Sequence, residues 1–195
     1  MSCFEARNYE IIPTETYKII RNCSGCGNKS VYCSTNKIRV NANGRLIDVW
    51  LIYQCEKCKH TYNLSVYSRI NRNEIDKSEY EALLKNNQQI VNQYCLDRTI
   101  FQKSAAMIFK EPAYILKDTG ISTKENAMHF LNPYRIRVRH DKLIAECLKI
   151  SRSQAQKLLE TGALKVSKLS NDEVNFQIDY VKSPKSGLES VFQNK

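Results

Sequence analysis

Four cysteines are spaced for metal chemistry. Cys23-Ser24-Gly25-Cys26 and Cys55-Glu56-Lys57-Cys58 form two CxxC pairs with 28 residues between them. Each pair offers two thiolates from one tight turn, and a β-hairpin between the pairs brings the turns together. Four sulfurs in a tetrahedron are the ligand set of a closed structural Zn²⁺ site, with no position left for water. The separation is longer than that of the shortest two-pair sites, and a long hairpin absorbs it. Gly27, directly after Cys26, lets a backbone N–H approach a thiolate. The competing reading is two unrelated turns or redox pairs.

Other reactive residues are scattered. Cys33 lies in an expected strand and His60 follows Cys58 by two residues, but four cysteines already fill the tetrahedron. His129 and His140 have no carboxylate or nucleophile at a telling spacing. There is no phosphate loop and no nucleophile elbow, so neither an enzyme nor a small-molecule substrate is expected.

Charge points to an anionic partner. The formal net charge is +10. Residues 1–70 carry 10 basic and 5 acidic side chains, residues 71–134 carry 8 and 8, residues 135–168 carry 9 and 3, and residues 169–195 carry 3 and 4. Two basic regions therefore flank a neutral middle, and nucleic acid is the expected partner ahead of a membrane. No apolar run is long enough for a membrane span. Residues 1–21 carry three Glu and lack a continuous apolar region, so no secretory signal is expected. A cytoplasmic protein keeps its cysteines reduced, which favours metal over disulfides.

The elements that must position the cysteines are strands. Lys37–Tyr53 reads as a hairpin turning at Asn43-Gly44. That turn pairs Val40 with Ile47, Ile38 with Val49 and Arg39 with Asp48. One face then carries Ile38, Val40, Ile47, Val49, Leu51 and Tyr53, and the other carries Lys37, Arg39, Asp48 and Trp50. Trp50 among basic groups has two readings, packing on a neighbouring domain or stacking on a base. Strands are also expected at 17–20 and 61–70, with a short one near Ile11 and Ile12.

Residues 76–95 read as one helix capped by Asp76 or Ser78, with a second short helix from Asp97 to Ser104. Ala113–Lys117 reads as a strand and 119–134 as a linker. Arg135, Arg137 and Arg139 alternate with Ile136 and Val138, so an extended backbone puts all three on one face. A helix follows with Leu143, Ile144, Cys147 and Leu148 inward. A second begins at a Ser151/Gln154 capping box and stops at Gly162. Strands are expected at 163–166 and 174–181.

Two resemblances follow from these residues. Cys23–Gly27, Lys37–Ala42, Asp48–Cys58 and Thr61–Asn63 resemble the motifs of an uncharacterised bacterial family, the domain of unknown function numbered ten sixty-two. Ile38 and Tyr62 stand where that family tends to have Phe and Trp. The resemblance implies a zinc ribbon and no established activity. Residues 139–166, through Asp141, Lys142, Ser151, Arg152, Ser153, Gln154, Ala155 and Gly162, resemble the S-four RNA-binding domain. His140 and Ser167-Lys168 depart from its usual text.

The expected fold class is α+β, with an antiparallel zinc ribbon, a helical middle and a C-terminal small α/β module like the S-four domain. The expected divisions are 1–72 for the ribbon, 73–134 for a helical connecting region, 135–182 for the basic module and 183–195 for a mobile tail. Cys23, Cys26, Cys55 and Cys58 are the expected ligands of structural Zn²⁺. Arg135, Arg137, Arg139, Lys142, Arg152, Lys157 and Lys165 are the expected nucleic-acid contacts, with RNA ahead of DNA. Lys149 stands where a DNA-binding helix pair wants Gly. A protein-binding adaptor and a DNA-binding regulator are the alternatives.

Overall fold

The hairpin between the cysteine pairs is the centre of a larger sheet. The computed structural model describes residues 6–121, 127–168 and 175–180. Its strands are β1 (Arg7–Pro13), β2 (Lys18–Cys23), β3 (Asn28–Asn43), β4 (Leu46–Cys55), β5 (Thr61–Asn71), β6 (Met107–Lys110), β7 (Tyr114–Ile121), β8 (Ala127–Leu131), β9 (Leu164–Lys168) and β10 (Asn175–Tyr180). Its helices are α1 (Lys77–Leu84), α2 (Gln88–Leu96), α3 (Arg98–Lys103), α4 (His140–Leu148) and α5 (Arg152–Glu160). Two compact units result. The first contains residues 13–115 with 134–136, and the second contains the described residues before 13, from 116 to 133 and from 137 onward.

The first unit is a sheet in the order β5-β4-β3-β2-β6, antiparallel throughout. β4 alternates strictly, with Ile47, Val49, Leu51, Tyr53 and Cys55 buried and the residues between them half-buried. An apolar face of this size cannot stay wet, and α1, α2 and α3 cover it. Phe101 of α3 lies edge-on to both Tyr17 and Tyr53, and the Tyr53 hydroxyl donates to the Tyr17 carbonyl at 3.0 Å. Each fully buried side chain of this kind contributes about 1.5–3 kcal/mol.

The second unit is a mixed sheet in the order β7-β1-β8-β10-β9. β1 runs parallel to β8, and β10 is antiparallel to both β8 and β9. Tyr9 stacks on Phe130 at 5.4 Å, and Met128, Phe130, Leu143, Ile144, Ala155, Leu158 and Ile178 are buried.

The expected fold class is therefore corrected. Among the described residues the protein is mostly β, with two five-stranded sheets. The middle helices are not a helical layer of their own, because they are needed to close the sheet that carries the cysteines. The C-terminal helices do not make a small α/β module with β9 and β10 alone. That hairpin would leave an unpaired edge, and β8, β1 and β7 extend it. The stretch 119–134, expected as a linker, supplies β8, and β7 runs on past the expected strand end at Lys117 to Ile121.

Two local corrections share one cause. The β3–β4 register pairs Val40 with Val49, Ile38 with Leu51 and Arg39 with Trp50, two residues from the expected pairing. Gly44 takes the first central turn position at φ +61°, so the turn residues are Gly44-Arg45 rather than Asn43-Gly44. A shift of two preserves which residues share a face, so the expected facial sets hold. Nearer the cysteines the register shifts at a bulge between Ser34 and Ile38, with Asn36 at φ +55°.

The expected helix 76–95 is broken at Asn86, also left-handed at φ +55°. The Asn86 side chain accepts from the Ile38 N–H at 2.9 Å and donates to the Ile38 carbonyl at 3.0 Å. It replaces a strand partner on β3 beyond the end of β2. Among the described residues no helix is long and apolar enough to cross a membrane. Asn86→Gly keeps the backbone conformation and removes both bonds, and should cost about 1–3 kcal/mol in denaturant unfolding. Asn86→Ala adds backbone strain and should cost more. Stability unchanged in both would refute the edge-capping role.

Candidate metal centre

Both cysteine turns have one construction. β2 delivers Cys23 and β4 delivers Cys55 at their last residues, and each chain then turns back into the next strand. Gly27 lies at φ +70° and Lys59 at φ +62°. The Gly27 N–H donates to the Cys23 carbonyl at 2.8 Å, and the Lys59 N–H donates to the Cys55 carbonyl at 3.0 Å. The pairing of β3 with β4 sets Tyr32 opposite Cys55 and so fixes the two turns side by side.

The result is a sulfur cluster. Cys23 Sγ lies 3.4 Å from Cys58 Sγ, and Cys26 Sγ lies 3.7 Å from Cys55 Sγ. All four sulfurs lie within 4.8 Å of one another, and the group could hold a metal ion. Cys23 and Cys55 are buried, Cys26 is half-buried and Cys58 is exposed.

Electrostatics inside the cluster favour a cation. The Tyr32 hydroxyl bonded to Cys23 is the main reason that the Cys23 thiol falls to about 6, with the Cys26 backbone N–H helping against burial. Backbone N–H groups of Cys58 and Lys57 lower the Cys55 thiol. Cys58 behaves oppositely. The His60 N–H pulls its thiol down, but the neighbouring thiols of Cys26, Cys23 and Cys55 together with burial push it up to about 12. Cys23 and Cys55 are pulled towards thiolate while Cys58 beside them is held towards the thiol. A bound cation removes that conflict and deprotonates a coordinating thiol.

Supporting residues surround the sulfurs, and Gly25 and His60 among them were already singled out by their places in and beside the CxxC pairs. A Cβ at Gly25 would lie 2.9 Å from Cys58 Sγ and 3.4 Å from His60 Cβ, so the first turn admits the second only with glycine there. Ser24 Oγ and His60 Nε2 bond at 2.9 Å and tie the turns together. Arg21 lies 3.5 Å over the Tyr62 ring, which packs edge-on against Tyr32. The signal for Gly25 was its place inside CxxC, and Tyr32 gave none.

The basic residues fall into separate settings. Asp141, in the first turn of α4, gathers two of them. Arg139 donates through Nε and Nη2 to its two carboxylate oxygens, each at 3.0 Å, and Arg152 donates through Nε and Nη2 to Oδ2 at 3.1 and 3.0 Å. Arg139 and then Arg152 hold that carboxyl below its ordinary value, against burial. Both arginine side chains stay exposed, at 69% and 54%, whereas Asp141 is at 11%.

Lys142, Lys157 and Lys165 are exposed on α4, α5 and β9. Arg135 and Arg137 are exposed on either side of buried Ile136, but no strand forms there and Arg135 sits at φ +50°. Arg135 also belongs to the first unit rather than the second. The Ser151/Gln154 capping box is present in both directions. Asp141 was read only as part of a motif, although an Arg two residues before it and another across the helix turn were the available signal.

The chain matches the family described as Protein of unknown function (DUF1062) over residues 40–170, more than half its length. It belongs to that family. The DUF1062 match takes in Cys55, Cys58 and the α4–α5 pair, and it begins after Cys23 and Cys26. No curated protein and no solved structure matches the chain.

Gly25→Ala should weaken metal binding at least tenfold while leaving the sheet foldable at saturating metal, read by competition with a chromophoric chelator. Cys23→Ser or Cys55→Ser should abolish stoichiometric metal and loosen residues 17–70, read by elemental analysis and hydrogen exchange. Native exchange protection in a metal-free variant would refute the centre's role.

Proposed function

We propose that this DUF1062 member is a non-enzymatic, zinc-containing protein of the cytoplasm that binds nucleic acid, RNA ahead of DNA. Zn–S bonds of about 2.3 Å in a tetrahedron put sulfurs roughly 3.8 Å apart. The separations of 3.4 and 3.7 Å support that ion, with the two turns as the knuckles of a zinc ribbon. A closed four-sulfur set supports a structural role for the metal.

The observation that carries the nucleic-acid reading is the Arg139–Asp141–Arg152 arrangement at the start of α5. One buried carboxylate holds two guanidinium groups side by side, keeps a local positive balance and leaves unused donors facing water. Guanidinium forks fixed in this way match phosphate oxygens. Lys142, Lys157 and Lys165 extend the charge, and the α4–turn–α5–β9 order supports the S-four resemblance. Contacts of this type position a backbone without reading its sequence. A protein partner is the second reading, favoured by Met107 and Phe109, which are exposed on the edge strand β6.

Arg152→Ala and Lys157→Ala should each weaken binding to structured RNA and reduce the salt slope by roughly 0.7–0.9 per lost phosphate contact. Asp141→Asn is the sharper test. It raises net charge, so unspecific attraction would tighten binding, whereas loss of the guanidinium holder should weaken it. Unchanged RNA binding in all three variants would move the site elsewhere, and a protein partner retained at high salt without RNA binding would favour the second reading.

A further inference from the structure

We propose a second nucleic-acid contact, on the face of the first unit's sheet opposite its helices, where Trp50 and the adjoining cleft take single-stranded RNA. This extends the reading above to another surface. Trp50 is half-buried on that face, with Arg39 directly across on β3 and Ser65 on β5. Two residues along β4, roughly 7 Å away, Ile52 lines an open cleft of about 600 Å³ with Lys37, Gln54, Glu56 and Lys59. That volume suits a ligand of nucleotide size.

Charge complementarity selects the occupant. Asp48 and Glu56, the carboxylates next to Trp50 and in the cleft lining, are both hydrogen-bonded. Asp48 accepts from the Arg69 backbone N–H at 2.9 Å. Glu56 accepts from Lys18 at 3.1 Å and from the Cys33 thiol at 2.9 Å. Lys37 and Arg39 are exposed, and neither has a carboxylate partner among the described residues. A flat aromatic ring beside two uncommitted cations, next to a cleft with amide and hydroxyl groups, has the parts of a platform for one unpaired strand. The base stacks on Trp50 and the phosphates lie along Lys37 and Arg39. A duplex buries its base faces and cannot use the ring.

Trp50 is the only tryptophan in the chain, so its fluorescence reports on this site alone. The zinc-loaded full chain is titrated with a fluorescein-labelled uridine octamer, and tryptophan emission and label anisotropy are followed together in separate channels. Saturable quenching should accompany the anisotropy change. It should survive Arg139→Ala with Arg152→Ala and be lost or shifted at least fivefold in Lys37→Ala with Arg39→Ala. Trp50→Leu should weaken binding by anisotropy roughly five- to a hundredfold, and Trp50→Phe should restore most of it. Binding without quenching, insensitive to Trp50→Leu, would overturn the platform and leave the α5 reading standing. Quenching by the octamer, together with unchanged binding of structured RNA by the Arg152→Ala, Lys157→Ala and Asp141→Asn variants, would support the platform and remove the α5 site. Absence of binding by either readout would overturn both, and quenching by an acidic peptide but not by the octamer would assign the face to a protein.

Discussion

The contact between two cysteine turns governs this structure. Each turn starts from the end of a strand, and the pairing of β3 with β4 holds the two turns side by side. Where Cys23 meets Cys58 and Cys26 meets Cys55, sulfur replaces the apolar packing that closes an ordinary sheet end. Four thiols at that spacing resist joint ionisation, and a cation held among them would lift that resistance. In zinc-finger peptides such binding is worth about 10–16 kcal/mol and is inseparable from folding. Gly25, Ser24, His60 and Tyr32 serve the same contact by permitting it, tying it and polarising one of its sulfurs.

From that corner the two faces of the sheet diverge. One face is apolar and is closed by α1–α3, with Asn86 sealing the strand edge that β2 leaves open. The other face keeps its polar and basic side chains. Asp48 accepts from the Arg69 backbone N–H and Glu56 pairs with Lys18, so neither Lys37 nor Arg39 is in an ion pair among the described residues. In the second unit Asp141 works in the opposite sense, since one carboxylate holds two guanidinium groups in place without cancelling both.

The cysteine cluster and the facial sets were legible in the sequence because each rests on local chemistry. CxxC spacing defines a turn, and alternation through β4 defines its buried side whatever the exact register. The register itself was misplaced by two residues because Asn-Gly signals a turn without fixing which position Gly takes. The helix break at Asn86 and the bulge at Asn36 answer to each other across the fold, so neither stretch alone announces them. The pairing of Arg7–Pro13 with Ala127–Leu131 joins strands from opposite sides of the whole first unit, and no periodicity connects residues that far apart. The middle helices were recognised as helices, but helical period does not name the surface they cover. The Arg–Ile–Arg–Val–Arg stretch kept its alternation of exposure without becoming a strand, because Arg135 turns left-handed.

X-ray absorption on the protein as purified, with no metal added, tests the centre most directly. The account predicts zinc at one equivalent per chain and a single shell of four sulfurs at about 2.3 Å. A shell containing nitrogen or oxygen, or a folded protein with no metal and its four cysteines in disulfides, would contradict it.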